Sequence, residues 1–143
     1  MKYRIILIYV FLSIFKCLSS QNICDVKVTC QYKDSGILYI LLVDNETFKV
    51  PLKYICKKKI EVMNNNDLDS TEVIFKNIAP GYYGVRCFID KNNNGKVDRG
   101  LFGPKEPWGM SWNTSRKKMI PSFDQIKFLI EDDFDFPKII IEK

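Results

Sequence analysis

The sequence predicts an all-β fold, a two-layer antiparallel β-sandwich with one long irregular loop over about residues 91–122. Three observations predict it. Apolar residues alternate at period two in segment after segment, which is the signature of strands with one buried face. Turn-forming clusters separate these segments. No stretch carries a sustained helical period; one turn near 122–125 is the most that the pattern supports.

The elements follow in order. Cys24, Val26, Val28 and Cys30 share one parity, with Asp25, Lys27 and Thr29 on the other, so 23–32 reads as a half-buried strand. The continuous apolar run 36–43 reads as a central strand covered on both faces, between the turn signals Asp34-Ser35-Gly36 and Asp44-Asn45-Glu46. Phe48, Val50, Leu52 and Tyr54 alternate, and Pro51 places that strand at an edge because it lacks a backbone donor. Segments 58–63 and 71–78 read as further strands, flanking the polar loop 64–70. Pro80 and Gly81 turn the chain into 82–90, where Tyr83, Val85, Cys87 and Ile89 make the core face and Arg86 lies opposite. Segments 124–131 and 137–143 supply the last strands. Seven or eight short strands with such punctuation make a sandwich.

A chain of 143 residues predicts one domain. Lys2 and Arg4 precede an apolar run over 5–15 and then small residues, the pattern of a secretory signal peptide over 1–20, leaving a domain over 21–143. The run is shorter than the roughly 20 residues of a membrane span, so no span is expected after cleavage. Removing Lys2, Arg4 and Lys16 leaves 19 basic against 17 acidic residues and lowers the net charge from +5 to +2. That charge is no argument for nucleic acid, which wants a clustered basic patch. The expected location is secreted or periplasmic, with an envelope or extracellular protein or a glycan as candidate partner.

Four cysteines remain after cleavage, Cys24, Cys30, Cys56 and Cys87. An even number in an exported domain predicts disulfides, of which four cysteines allow three connectivities; buried free thiols are the alternative. The chain has no histidine. That removes Ser-His and Cys-His nucleophiles and histidine-ligated metals, so any catalysis would rest on carboxylates, Lys, Tyr or a cation.

One stretch carries chemistry. Asp90, Asn92 and Asn94 stand at alternate positions, Gly95 follows, Lys96 offers its carbonyl and Asp98 comes two residues later. This is most of a calcium loop, with Glu106 as an additional ligand. Leu101 stands where an EF-hand has its bidentate Glu, and the flanks are not helices, so the candidate is a Ca2+ loop on a β scaffold. A bare turn, with Asx side chains bonded to their own backbone, is the competing reading. Trp108 and Trp112 either line a ligand cleft or pin the loop onto the sheets.

The ordered motifs Phe75-x-x-Ile78-x-Pro80-Gly81-x-Tyr83, then 90–98, Gly103-Pro104-x-Glu106-x-Trp108-Gly109-Met110-Ser111, Pro121-Ser122-Phe123 and Phe128-x-Ile130 resemble those of the domain of unknown function 2141, a family of small exported bacterial proteins. The resemblance implies an immunoglobulin- or transthyretin-like sandwich with no established activity. It also implies a polar cluster at Asp90, Asn92, Asn94, Asp98 and Glu106. Ile89 stands where that family often has His, and Trp112 interrupts its Ser-Asn pair. The expected function is a non-enzymatic binding or structural module. The alternatives are a hydrolase using Asp98 and Glu106 and a carrier of a small ligand.

Overall fold

The structure, a computed structural model, describes residues 23–63, 67–101, 103–111 and 121–142. Residues 1–20, where a signal peptide is expected, and Trp112 lie outside the described residues. Alternation in the first segment produces β1 (Cys24–Tyr32), with Cys24, Val26, Val28, Cys30 and Tyr32 all buried. β2 (Gly36–Val43) is covered on both faces, as its unbroken apolar run requires: Leu38, Ile40 and Leu42 enter the main core, while Tyr39, Leu41 and Val43 enter a second cluster on the other side. β3 (Cys56–Val62), β4 (Asp69–Ile78) and β5 (Gly81–Asp90) follow. Three short strands come next, β6 (Arg99–Gly100), β7 (Gly103–Pro104) and β8 (Trp108–Met110), then β9 (Phe128–Ile130) and β10 (Phe134–Ile140).

The described residues are mostly strand, with two one-turn helices, α1 (Asn45–Phe48) and α2 (Phe123–Ile126). One sheet runs β10-β1-β4 and a second runs β3-β2-β5-β8, with β9 also on β5; β6 and β7 form a hairpin. The main core draws on both larger sheets, joining Val26, Val28 and Phe75 of the first to Leu38, Ile40, Val85 and Ile89 of the second.

Three expectations are corrected. The sheets are not wholly antiparallel: β10 joins β1 in parallel, Val26 beside Phe134 and Gln31 beside Ile140. The irregular stretch 91–122 is broken by β6, β7 and β8. The strand expected over 47–55 is absent. There the Asp44 carboxylate accepts the Thr47 N–H at 2.7 Å and the Thr47 hydroxyl accepts the Asp44 N–H at 2.9 Å, a capping box that starts α1. Turns then carry the chain to Ile55 with Leu52 at φ 59°, and Val50, Leu52 and Tyr54 stay exposed. Local hydrogen bonds to Asp44 override the alternation.

The cap has a pH signature. Its hydrogen bonds, chiefly from the Thr47 N–H, hold the Asp44 carboxyl below its ordinary 3.8. A depressed carboxyl stabilises the fold above its unfolded pKa, and that contribution disappears as pH falls through the folded value. Asp44→Ala is expected to cost about 1 kcal/mol at pH 7. The difference from wild type should vanish in urea titrations at pH 2; equal stabilities at pH 7 would contradict the cap.

Backbone proximity explains two glycines. A Cβ on Gly109 would stand 2.5 Å from the Ile140 carbonyl oxygen, so only glycine lets β8 lie against the end of β10. A Cβ on Gly36 would stand 2.6 Å from the Asp90 carbonyl oxygen, at φ +147°. At the outer edge, β3 exposes Lys57, Lys58 and Lys59, which protect an open strand from pairing with another chain.

Candidate functional site

β5 ends at Asp90, whose side chain is 1% exposed although the residues that follow are in solvent. One carboxylate oxygen accepts the Asn94 N–H at 3.2 Å and the other accepts the Gly95 N–H at 2.7 Å. The chain can curl back in this way because Asn93 and Gly95 adopt φ of 56° and 74°, a region that Asn and Gly enter readily. Asn92 Oδ1 accepts the Asn94 N–H at 3.2 Å and Asn94 Oδ1 accepts the Lys96 N–H at 2.9 Å, two successive Asx turns.

The predicted ligands are neighbours in one hydrogen-bonded network, with their oxygens not turned to a common point. The amide NH2 groups of Asn92 and Asn94 both donate to the Asp98 carboxylate, at 2.8 and 3.0 Å. Two partial positive charges therefore stand against Asp98, and the amide oxygens face the backbone. Glu106, 5% exposed, closes the loop from outside: its carboxylate accepts the Lys91 N–H at 3.0 Å and the Asp98 N–H at 3.1 Å. The Asp98 carbonyl accepts the Lys105 N–H at 2.7 Å, and the Pro107 carbonyl accepts the Ile89 N–H at 2.9 Å. Lys96 contributes its backbone to the loop through the bond to Asn94.

Asp90, Asp98 and Glu106 thus sit in one hydrogen-bonded unit, and among the described residues no Lys or Arg side chain pairs with any of them. Lys91 points away, to Asp34 at 2.6 Å. The three carboxylates are not gathered around one point: among the described residues no cluster of three or more acidic, Cys or His groups could hold a metal unaided. A cation here would need the Asn amide oxygens and the Lys96 carbonyl as well.

The remaining sequence candidates fall elsewhere. Trp108 is pinned, its N–H donating to the Glu142 carbonyl at 2.9 Å and its carbonyl accepting the Glu142 N–H at 3.2 Å, and it also walls a cavity of about 540 Å³. Tyr83 is structural, donating its hydroxyl to the Ala79 carbonyl at 3.0 Å. Ser111 is structural too: buried, it accepts the Val85 N–H at 2.7 Å and donates to the Ile126 carbonyl at 2.8 Å, tying β5 to α2.

The structure shows no disulfide among the four predicted cysteines. Cys24, Cys30, Cys56 and Cys87 are all free thiols. Cys30 on β1 and Cys87 on β5 nevertheless stand with sulfurs 3.4 Å apart in the core between the larger sheets. Burial, and then the neighbouring Cys30, push the Cys87 thiol well above its ordinary value.

Of the residues around the cavity, sequence reasoning named Trp108 as a cleft wall and missed the rest. The cavity lies on the face of β2 and β5 away from the main core, lined by Leu41, Phe88, Met110 and Arg86, with Phe48, Lys96 and Arg99 among the surrounding residues. A further signal was Arg86, a charged residue between the buried Val85 and Cys87 of β5.

Residues 26–135 match the family model of the domain of unknown function 2141 (DUF2141), described as an uncharacterized protein conserved in bacteria. The chain belongs to this family. No curated protein and no solved structure matches it. The matched span of this DUF2141 protein contains the whole 90–106 unit, the Cys30–Cys87 pair and the Tyr83 corner, and it stops just inside β10.

Proposed function

We propose that this DUF2141 chain is an exported, non-enzymatic β-sandwich module of immunoglobulin-like build whose 90–98 loop takes up Ca2+ weakly. The fold reading is supported by pairing. In immunoglobulin domains strand B pairs with E, C with F, and F with G, a cystine joins B to F, and a tyrosine near the start of F bonds back to the preceding corner. Here β1 pairs with β4, β2 with β5, and β5 with β8. The close cysteines lie on β1 and β5, and Tyr83 bonds back to Ala79.

The observation that carries the cation reading is that Asp90, Asp98 and Glu106 share one hydrogen-bonded unit with no cationic side chain among the described residues paired to them. N–H groups alone offset their charge, and a hard divalent ion is the partner that oxygen donors of this spacing accept. Binding requires the Asn92 and Asn94 amides to turn their oxygens inward, and the ion-free loop is already bonded, so affinity is modest. At a Kd of about 10⁻⁴ to 10⁻³ M, as for modules outside the cell, 10 mM calcium should stabilise the fold by about 1.4–2.7 kcal/mol. Thermal unfolding in 10 mM calcium and in chelator checks this. The rise in midpoint should be lost in Asp98→Asn; an unchanged midpoint in the wild type removes calcium from the reading.

A hydrolase is not favoured. The Asp98 and Glu106 carboxylates are both engaged by N–H donors, and neither lines the cavity. Export also accounts for the sulfur pair. In an oxidising compartment Cys30 and Cys87 form one S–S bond, passing two protons and two electrons to a disulfide-bearing oxidant, which leaves as its dithiol.

A further inference from the structure

The cavity of about 540 Å³ has the size of a small-molecule site. Its floor is the outer face of the second sheet, with Leu41 on β2, Phe88 on β5 and Met110 on β8. Phe48 of α1 closes one side and Trp108 another. The charged residues of the lining are all of one sign, Lys49, Arg86, Lys96 and Arg99, with no carboxylate among them.

Two of these cations are unspent. No hydrogen bond or ion pair among the described residues engages the Lys96 ammonium or the Arg99 guanidinium, whereas Lys49 pairs with Glu46 at 3.3 Å. Arg86 lies deeper. Its guanidinium donates to the Lys53 carbonyl at 2.8 Å and the Phe48 carbonyl at 3.4 Å and stands 5.5 Å from the centre of the Phe48 ring. Its Nε is buried without a hydrogen-bond partner, and burial, then the charge of Arg99, makes its proton easier to lose than in an ordinary arginine. A half-buried guanidinium beside a second one, over an apolar floor, lacks a negative charge.

We propose that this cavity binds a small organic anion with an apolar body, such as an alkyl or aromatic carboxylate. The body lies on Leu41, Phe88, Met110 and Trp108, and the acid group meets Arg99 and Lys96 above Arg86. The proposal shares no ligand with the calcium reading, so it is tested in chelator, where failure of one leaves the other standing.

The experiment is calorimetric titration of the protein with dodecanoate, dodecanol and dodecyltrimethylammonium, which share a chain and differ in charge. Dodecanoate is expected to bind at one site at least tenfold tighter than dodecanol, with no binding of the cation. Arg99→Gln and Lys96→Gln, both on exposed residues, should each weaken dodecanoate three- to tenfold and leave dodecanol unchanged. Arg86→Lys should weaken dodecanoate further; circular dichroism confirms its fold, and the two surface variants carry the test if it unfolds. Equal affinities for acid and alcohol, no binding of dodecanoate at 1 mM (about the weakest affinity worth assigning to a site), or no effect of Arg99→Gln and Lys96→Gln would each overturn the proposal. So would preferential binding of an acidic, aromatic-bearing peptide, which would give the cavity to a protein partner.

Discussion

Chain recovered from an oxidising compartment is expected to carry a Cys30–Cys87 bond, and reducing it should cost the fold about 4 kcal/mol. The two residues are 57 apart in sequence, and closing a loop of that length removes this much chain entropy from the unfolded state. For a domain of this size the midpoint should fall by about 15 °C in reductant. The two sulfurs bridge different sheets, so the bond pins β1 to β5 where both are fully buried. The raised Cys87 pKa adds a kinetic expectation. A buried thiol holds little thiolate, so the folded reduced protein should oxidise slowly, and most of the bond should form while the chain is still open. Mass spectrometry after alkylation without reductant reads the pairing. Alkylation of both Cys30 and Cys87 in protein purified from outside the cytoplasm would refute it, as would melting that ignores reductant.

Asp90→Ala is expected to destabilise the protein by about 3–5 kcal/mol, far more than a loop substitution ordinarily costs. The carboxylate is buried and holds the N–H groups of Asn94 and Gly95; removing it forfeits two charge-assisted bonds, strips the Gly95 N–H of its acceptor and leaves the Asn94 N–H with Asn92 Oδ1 alone. Asp90→Asn keeps one acceptor and should lose about half as much. Asn92→Ala, in an exposed residue, should cost under about 1 kcal/mol while still abolishing the calcium response. Urea midpoints at fixed pH measure all three. A loss below about 1 kcal/mol for Asp90→Ala would mean that the loop does not depend on its buried end. The ranking separates two roles for the cluster. Asp90 builds the corner, and in the calcium reading proposed above Asn92 serves the ion.

The central strands were legible because burial on one or both faces writes itself into the alternation. Cys24 to Tyr32 at every second residue, and the unbroken run of β2, are each a direct imprint of what covers them. Segment 47–55 misled for the same reason: Phe48, Val50, Leu52 and Tyr54 alternate, but a capping side chain three residues away decides the backbone there. The loop was legible as a list of donors but not as a geometry. Nothing in Asn92 or Asn94 says whether its oxygen or its nitrogen meets Asp98. Beyond Trp108, the cavity was hidden because Phe48, Arg86 and Arg99 come from separate segments that only the fold brings together. The parallel partner of β1 was hidden too, since parallel and antiparallel neighbours bury the same faces.

That last pairing has a consequence for how the molecule comes into being. β1 is the middle strand of its sheet, yet one of its two neighbours is the final strand, more than a hundred residues away along the chain. Until β10 emerges from the ribosome or from a translocation channel, one whole edge of β1 lacks its mate and Phe136 and Ile139 are missing from the interior. Acquisition of the native state therefore waits for β10, and a topology so dominated by distant partners is slow to close. A nascent chain of this design stays threadable until β10 is made, and a chain cut before Phe134 should have an open edge that invites self-association.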